Sequence, residues 1–161
     1  MRIGLIGYGE VGRILAEDLC AQGLQVCAYD SKQGTPSNAR AMQEHAQGLS
    51  VDLRGSHAEV CKQSDLLICA VTASQTLAAA QACAPHLLPQ AFFLDLNSAS
   101  PGTKLAAAAL IDKAGACYVE AAVMTSVPPH RMQVPMLIGG AHAPTLLPVL
   151  NSLGFKAKIA S

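Results

Sequence analysis

The residues with the clearest chemical pattern are Gly7-Tyr8-Gly9-Glu10-Val11-Gly12, a Gly-x-Gly-x-x-Gly lying between an apolar run, Ile3–Ile6, and a helix-like segment, Glu10–Gln22. Each glycine has a use if a pyrophosphate lies beside it. Gly7 permits a tight turn, Gly9 lets backbone approach the phosphates, and Gly12 lets helix pack closely on strand. The helix start then offers free N–H groups and the positive end of its dipole to the anion. The pattern predicts an acidic residue about 20 positions on, ending the second strand. Asp30 stands there, after Leu24–Tyr29, with Ser31 beside it. A carboxylate at that point accepts hydrogen bonds from the ribose hydroxyls of NAD and repels the 2′-phosphate of NADP. The candidate cofactor is therefore NAD, with NADP kept open by Lys32, which is long enough to reach a 2′-phosphate.

These residues need elements to hold them, and the chain supplies short apolar runs alternating with Ala-rich segments. Strands are expected at Ile3–Ile6, Leu24–Tyr29, Leu49–Leu53, Leu66–Val71, Phe92–Leu96, Cys117–Val123, Met136–Ile138 and near Phe155–Ile159. Helices are expected over Glu10–Gln22, Ala39–Gln47 with Asn38 as cap, a short stretch after Ser56, Gln75–Ala84, Pro101–Ala114 and Ala143–Leu153. Ser31–Ser37 reads as a loop. Such alternation implies an α/β fold, Rossmann-type and doubly wound, with a mostly parallel sheet in a single domain. Ligands in such sheets lie beyond the carboxyl ends of the strands, where strand order reverses. That rule adds Val71, Thr72, Ala73 and Asn97 to the candidate cofactor contacts.

Composition narrows the class. Eleven basic and eleven acidic residues give a formal charge of zero, which argues against a nucleic-acid or anionic-membrane partner. Only 14% of residues are charged, against the usual value of roughly 25%. Part of the surface, including the stretch Leu146–Leu150, is therefore expected to be apolar and covered by another domain or subunit. No apolar run approaches the ~20 residues of a membrane span. The six cysteines form no CxxC and no metal-like cluster, so no metal is expected, and reduced thiols in a cytoplasmic protein are the simplest reading. His45, His57, His86 and His142 have no partner pattern and read as surface or packing residues.

Two further segments carry a resemblance. Asp95-Leu96-Asn97-Ser98-Ala99-Ser100-Pro101-Gly102-Thr103 is a strand ending in Asp, a polar pair and a Ser-Pro that opens a helix. Glu120-Ala121-Ala122-Val123-Met124-Thr125-Ser126-Val127-Pro128-Pro129 follows, then Gly139-Gly140. With the glycine loop, these motifs resemble the β-hydroxyacid dehydrogenases, which include 3-hydroxyisobutyrate dehydrogenase, 6-phosphogluconate dehydrogenase and the imine reductases. The resemblance covers essentially all 161 residues. It implies an NAD(P)-dependent oxidoreductase acting on a small β-hydroxy acid, its carbonyl counterpart or an imine. It also implies Ser98, Met124, Thr125 and Ser126 as substrate-side residues, although Met124-Thr125-Ser126 departs from the family's Ser-Gly-Gly. Arg131, in the following loop, is either a bidentate partner for a substrate carboxylate or phosphate or a solvated loop charge.

The family's catalytic lysine sits in a Gly-x-x-Gly…Lys…Asn pattern on a helical domain. Neither Lys156 nor Lys158 fits that pattern. The resemblance thus places the lysine beyond Ser161, in a C-terminal helical domain absent from this chain, leaving residues 1–161 as a dinucleotide-binding domain with no catalytic residue of its own. Oligomerisation, as a homo-oligomer, is implied mainly through that helical domain. Two other readings stand beside this one. A non-catalytic NAD(H)-sensing module fits the missing acid/base but has no need of Glu120–Pro129. A methyltransferase also uses a glycine-rich first loop, but Asn97-Ser98 and Pro101 speak against it.

Overall fold

Strand β1 (Arg2–Ile6) ends at Gly7, whose φ of 101° turns the chain into helix α1 (Glu10–Ala21). The computed structural model describes residues 1–160. It continues with β2 (Gln25–Tyr29), α2 (Pro36–Leu49), β3 (Asp52–Leu53), α3 (His57–Cys61), β4 (Leu66–Cys69) and α4 (Thr76–Cys83). Then come β5 (Phe92–Asp95), α5 (Pro101–Lys113), β6 (Cys117–Val123), α6 (Val127–His130), β7 (Pro135–Gly139), α7 (Ala143–Ser152) and β8 (Lys156–Ile159). One eight-stranded sheet runs β3-β2-β1-β4-β5-β6-β7-β8. Every neighbouring pair is parallel except β6–β7. The fold is therefore the α/β, Rossmann-type doubly wound domain that the alternation predicts.

Side-chain alternation explains why the sheet is covered on both faces. On β4, Leu66 and Ile68 point into one apolar cluster, while Leu67 and Cys69 point into the other. All four are buried, as a central parallel strand requires. Chain order steps outward from β1 to β2 and β3 on one side, and from β4 onward on the other. The carboxyl ends of β1 and β4 therefore diverge into helices on opposite faces, and a crevice opens between them.

Several local expectations are corrected. Helix α2 begins at Pro36, not Ala39, and Thr35 rather than Asn38 precedes it, without a side-chain cap. Proline suits this place because its missing N–H falls where no helical bond is made. The loop before it contains a 3-10 turn, Ser31–Gly34, capped by Asp30. The strand expected at Leu49–Leu53 shrinks to Asp52–Leu53, because α2 runs on through Leu49 and stops at Ser50 in the left-handed region. Helix α6 was not expected. Within the stretch Leu146–Leu150, Leu146 and Leu150 are fully buried in the core, while Pro148 is exposed and Leu147 and Val149 are partly so. Among the described residues the large apolar side chains that are exposed are Met1, Leu105, Met124 and Ile159, Leu105 most of all at 72%. Among the described residues all six cysteines are free thiols, and no helix is long and apolar enough to cross a membrane.

Candidate functional site

A cleft of about 550 Å³ opens where β1 and β4 diverge. Its floor is the glycine loop (Gly7, Gly9, Glu10 and Val11), and one end is walled by Asp30, Ser31, Lys32 and His57. The other end is formed by Val71, Thr72, Ala73, Asn97, Ser98, Val123, Thr125 and Val127. Segments far apart in the chain thus meet at one place, because each follows the carboxyl end of a strand.

The glycine loop is built for backbone proximity. A Cβ at Gly7 would overlap the Ala70 carbonyl, and one at Gly12 would overlap the Gly7 carbonyl. Gly9 is different: a Cβ there meets nothing, so the space above it is open cleft. Helix α1 starts just after Gly9 with no side chain capping it, leaving its first N–H groups to whatever lies in the cleft. Asp30 fixes the loop from the side. Its Oδ2 accepts the Tyr8 N–H at 2.7 Å and its Oδ1 accepts the Lys32 N–H at 2.8 Å. A carboxylate has about four lone-pair sites, so each oxygen keeps capacity for another donor.

The opposite end rests on a buried polar network. Asn97 Oδ1 accepts the Val71 N–H at 2.7 Å, and its amide nitrogen reaches Cys69 Sγ at 3.5 Å, tying the ends of β4 and β5 together. Burial holds the Cys69 thiol up at about 12, so it stays a neutral partner. Fully buried Asp95 orients this corner. It accepts the Asn97 N–H at 2.8 Å and the Tyr118 hydroxyl at 2.6 Å. Burial and this carboxylate push the Tyr118 phenol well above its ordinary range, so it remains a donor. The Lys104 ammonium sits 3.9 Å from Asp95 Oδ1 and donates to the Ala121 carbonyl at 3.1 Å.

Not every candidate from the sequence reaches the cleft. The Tyr8 side chain is fully buried, its hydroxyl sharing a 2.6 Å hydrogen bond with His45 Nδ1. Only its backbone belongs to the loop. Gly12 lies beneath the loop as packing. Met124 and Ser126 are exposed but do not line the cleft, whereas Thr125 between them does. Arg131 does not line the cleft. It is a loop charge whose side chain stays 43% exposed while its guanidinium pairs with Asp18 at 3.0 Å and Glu17 at 3.1 Å on α1. His57, taken as a packing residue, is a cleft residue and meets Tyr29 edge to face, ring centroids 4.7 Å apart. Its signal was its place just past the carboxyl end of the short strand β3.

With this geometry the comparison that decides the family is a match over residues 2–159 to the NAD binding domain of 6-phosphogluconate dehydrogenase. The chain belongs to that family. A conserved hypothetical protein from Sinorhizobium meliloti is 34% identical to this NAD-binding domain, with a TM-score of 0.93 over 99% of this chain and 54% of that one. The 3-hydroxyisobutyrate dehydrogenase of Mycobacterium tuberculosis, solved with L-serine, is 20% identical, with a TM-score of 0.83 over 99% of this chain and 54% of that one. An imine reductase from Myxococcus stipitatus, solved with NADP+, is 18% identical, with a TM-score of 0.81 over 99% and 55%. A variant of that reductase was solved with NAD+. These two enzymes share the fold with the NAD-binding domain described here. The chain spans about half the length of the solved structures it matches. No curated protein matches it. The cleft suits a dinucleotide on its own terms, having open space over Gly9, an uncapped helix start and a volume within the usual ligand range of about 300–1,000 Å³.

Proposed function

We propose that this domain is the cofactor-binding half of an oxidoreductase that moves hydride between NAD(P) and a small β-hydroxy acid, its carbonyl counterpart or an imine. The observation that carries the reading is the division of one cleft into two unlike ends. The end at Asp30, Ser31, Lys32 and His57 carries one carboxylate and one ammonium, with burial pushing the His57 imidazole below its ordinary range, and it suits an adenosine ribose. The end at Asn97, Ser98 and Thr125 is polar without a titratable side chain, suited to a carboxamide and a small polar substrate. Between them Gly9, Glu10 and Val11 give backbone donors to a pyrophosphate, while the Gly7 N–H is taken by the Tyr29 carbonyl at 2.9 Å. When bound, the nicotinamide supplies or accepts the hydride. The protein's part is to orient it, with Asn97 locking the ends of β4 and β5 so that Val71, Thr72 and Ala73 form a fixed wall.

The same division predicts binding without turnover by this 161-residue chain. A positioned acid or base contributes about 10²–10⁴-fold, and none lines the Asn97 end. A fluorescence titration with NADH is expected to saturate, while a panel of β-hydroxy acids, aldehydes and imines with the matching cofactor leaves absorbance at 340 nm unchanged. Failure of NADH to bind overturns the reading of the cleft; rapid turnover overturns the assignment of its two ends.

Cofactor preference follows from Asp30. Its charge, fixed by the Tyr8 and Lys32 amides, opposes a 2′-phosphate, so NADH is expected to bind more tightly than NADPH. Asp30→Ala narrows that gap by roughly tenfold, the scale of one charge–charge contact near a surface. Calorimetry with both cofactors checks it, and equal or tighter NADPH binding by the parent sinks the idea.

A further inference from the structure

The loop between β6 and β7 carries Thr125 and Val127 into the cleft and then ends on an unusual residue. Arg131 has φ 54° and ψ −132°, a backbone conformation that side-chain-bearing residues rarely adopt. Something outside the loop must hold it there, and the side chain shows what. Arg131 Nε donates to Asp18 Oδ1 at 3.0 Å and Nη2 donates to Glu17 Oε1 at 3.1 Å, while the next amide, Met132 N–H, donates to Asp18 Oδ2 at 3.4 Å. Both carboxylates belong to α1, the helix whose start faces the open cleft above Gly9. Burial of Met132 beside them pins the loop on the same face of α1.

The contacts continue past Glu17. Its second oxygen, Oε2, lies 3.5 Å from His45 Nε2, and His45 Nδ1 shares the 2.6 Å hydrogen bond with the Tyr8 hydroxyl. With Tyr8 donating to Nδ1, the Nε2–H faces the carboxylate, so one tautomer satisfies both contacts. Tyr8 is the second residue of the glycine loop. A continuous polar chain therefore runs from the cleft-lining 125–127 turn through Arg131, Glu17 and His45 to the backbone under the pyrophosphate position.

We propose that Arg131 is a positioning residue: by bridging Glu17 and Asp18 it sets the Thr125–Val127 wall of the cleft against the glycine loop, so that the two sides of the site are placed together. The proposal rests on the reading of the cleft as a dinucleotide site. Arginine suits the task because its planar fork serves two carboxylates at once, which a lysine ammonium cannot do with the same geometry.

The test uses the whole chain with Arg131→Met, Arg131→Lys and Tyr8→Phe. In Arg131→Met, amide hydrogen exchange at Thr125, Ser126, Val127 and Met132 is expected to rise about fivefold or more while β1 and β4 keep their protection, with Arg131→Lys falling between. NADH is expected to bind about fivefold more weakly to Arg131→Met. Adding Tyr8→Phe then weakens it by much less than the product of the two single effects, because both cut the same chain. Exchange that rises evenly across the sheet, exchange that does not change, or single effects that multiply would each overturn the proposal. If the parent itself binds no NADH, the reading of the cleft fails, and the exchange pattern alone then decides whether Arg131 holds the loop.

Discussion

Gly9→Val is expected to abolish measurable NADH binding while leaving the domain folded. The valine side chain would enter open cleft, since a Cβ at Gly9 meets no protein atom, and the extended backbone there (φ −82°, ψ −151°) does not need the positive φ that favours glycine. What it displaces is the pyrophosphate. Hydrogen bonds to a charged group contribute about 1.5–3 kcal/mol each. Losing two of them lowers affinity by roughly 10²–10⁴-fold. Stability should change by less than about 1 kcal/mol, the usual cost of a poor residue at a helix N-cap. Gly12→Val should do the reverse. Its Cβ would be driven into the Gly7 carbonyl, a backbone group that cannot swing aside, at a cost of about 3 kcal/mol. For a domain of this size that is a fall of about 6–12 °C in Tm. Thermal melts and NADH titrations on the two variants separate the roles, and a Gly9 variant that binds like the parent removes the phosphate site from this loop.

The second large effect is expected at Asp95. Removing its carboxylate by Asp95→Ala strands the Tyr118 hydroxyl and the Asn97 backbone N–H and leaves the Lys104 ammonium with carbonyl acceptors but no counter-charge, all at buried positions. Leaving a buried charge without its partner costs about 3–5 kcal/mol. Lys104→Met should cost less, since Asp95 keeps two good donors. The double change Asp95→Ala with Lys104→Met should be more stable than the sum of the single changes predicts, because neither charge is then left alone. Denaturant unfolding of the four proteins measures this coupling, and strict additivity would mean that the 3.9 Å pair is not felt as a pair. NADH affinity should fall with Asp95→Ala as well, because Asn97 loses the contact that aims it at Val71.

What was legible in the sequence was whatever depends on short-range pattern. The Gly-x-Gly-x-x-Gly and Asp30 could be placed because a turn, a helix start and a strand end obey local rules of spacing, and strand and helix periods declare themselves over a few residues. Even there, boundaries shifted where two local signals competed. Proline at position 36 opened α2 earlier than the Asn38 cap suggested, and at its far end the helix took Leu49, with Ser50 as its cap, from the strand expected after it.

Side-chain partners across the fold were not legible. Arg131 meets Glu17 and Asp18 more than a hundred residues away, and no local pattern in either segment announces the other. Tyr8 sits inside the glycine motif yet turns its ring into the core, because the turn at Gly7 and the position of α2 put His45 in reach of its hydroxyl. His57 became a cleft residue through the sheet order, which sets β3 beside β2 and brings the start of α3 up to Asp30. The sequence by itself determined the α/β alternation, the phosphate loop and the acid that follows it, because these are written in contiguous residues. Only the tertiary structure decided which polar side chains face the cleft and which are spent holding it together, because a charged or hydrogen-bonding group takes the nearest partner the packed fold provides, and that partner comes from another element.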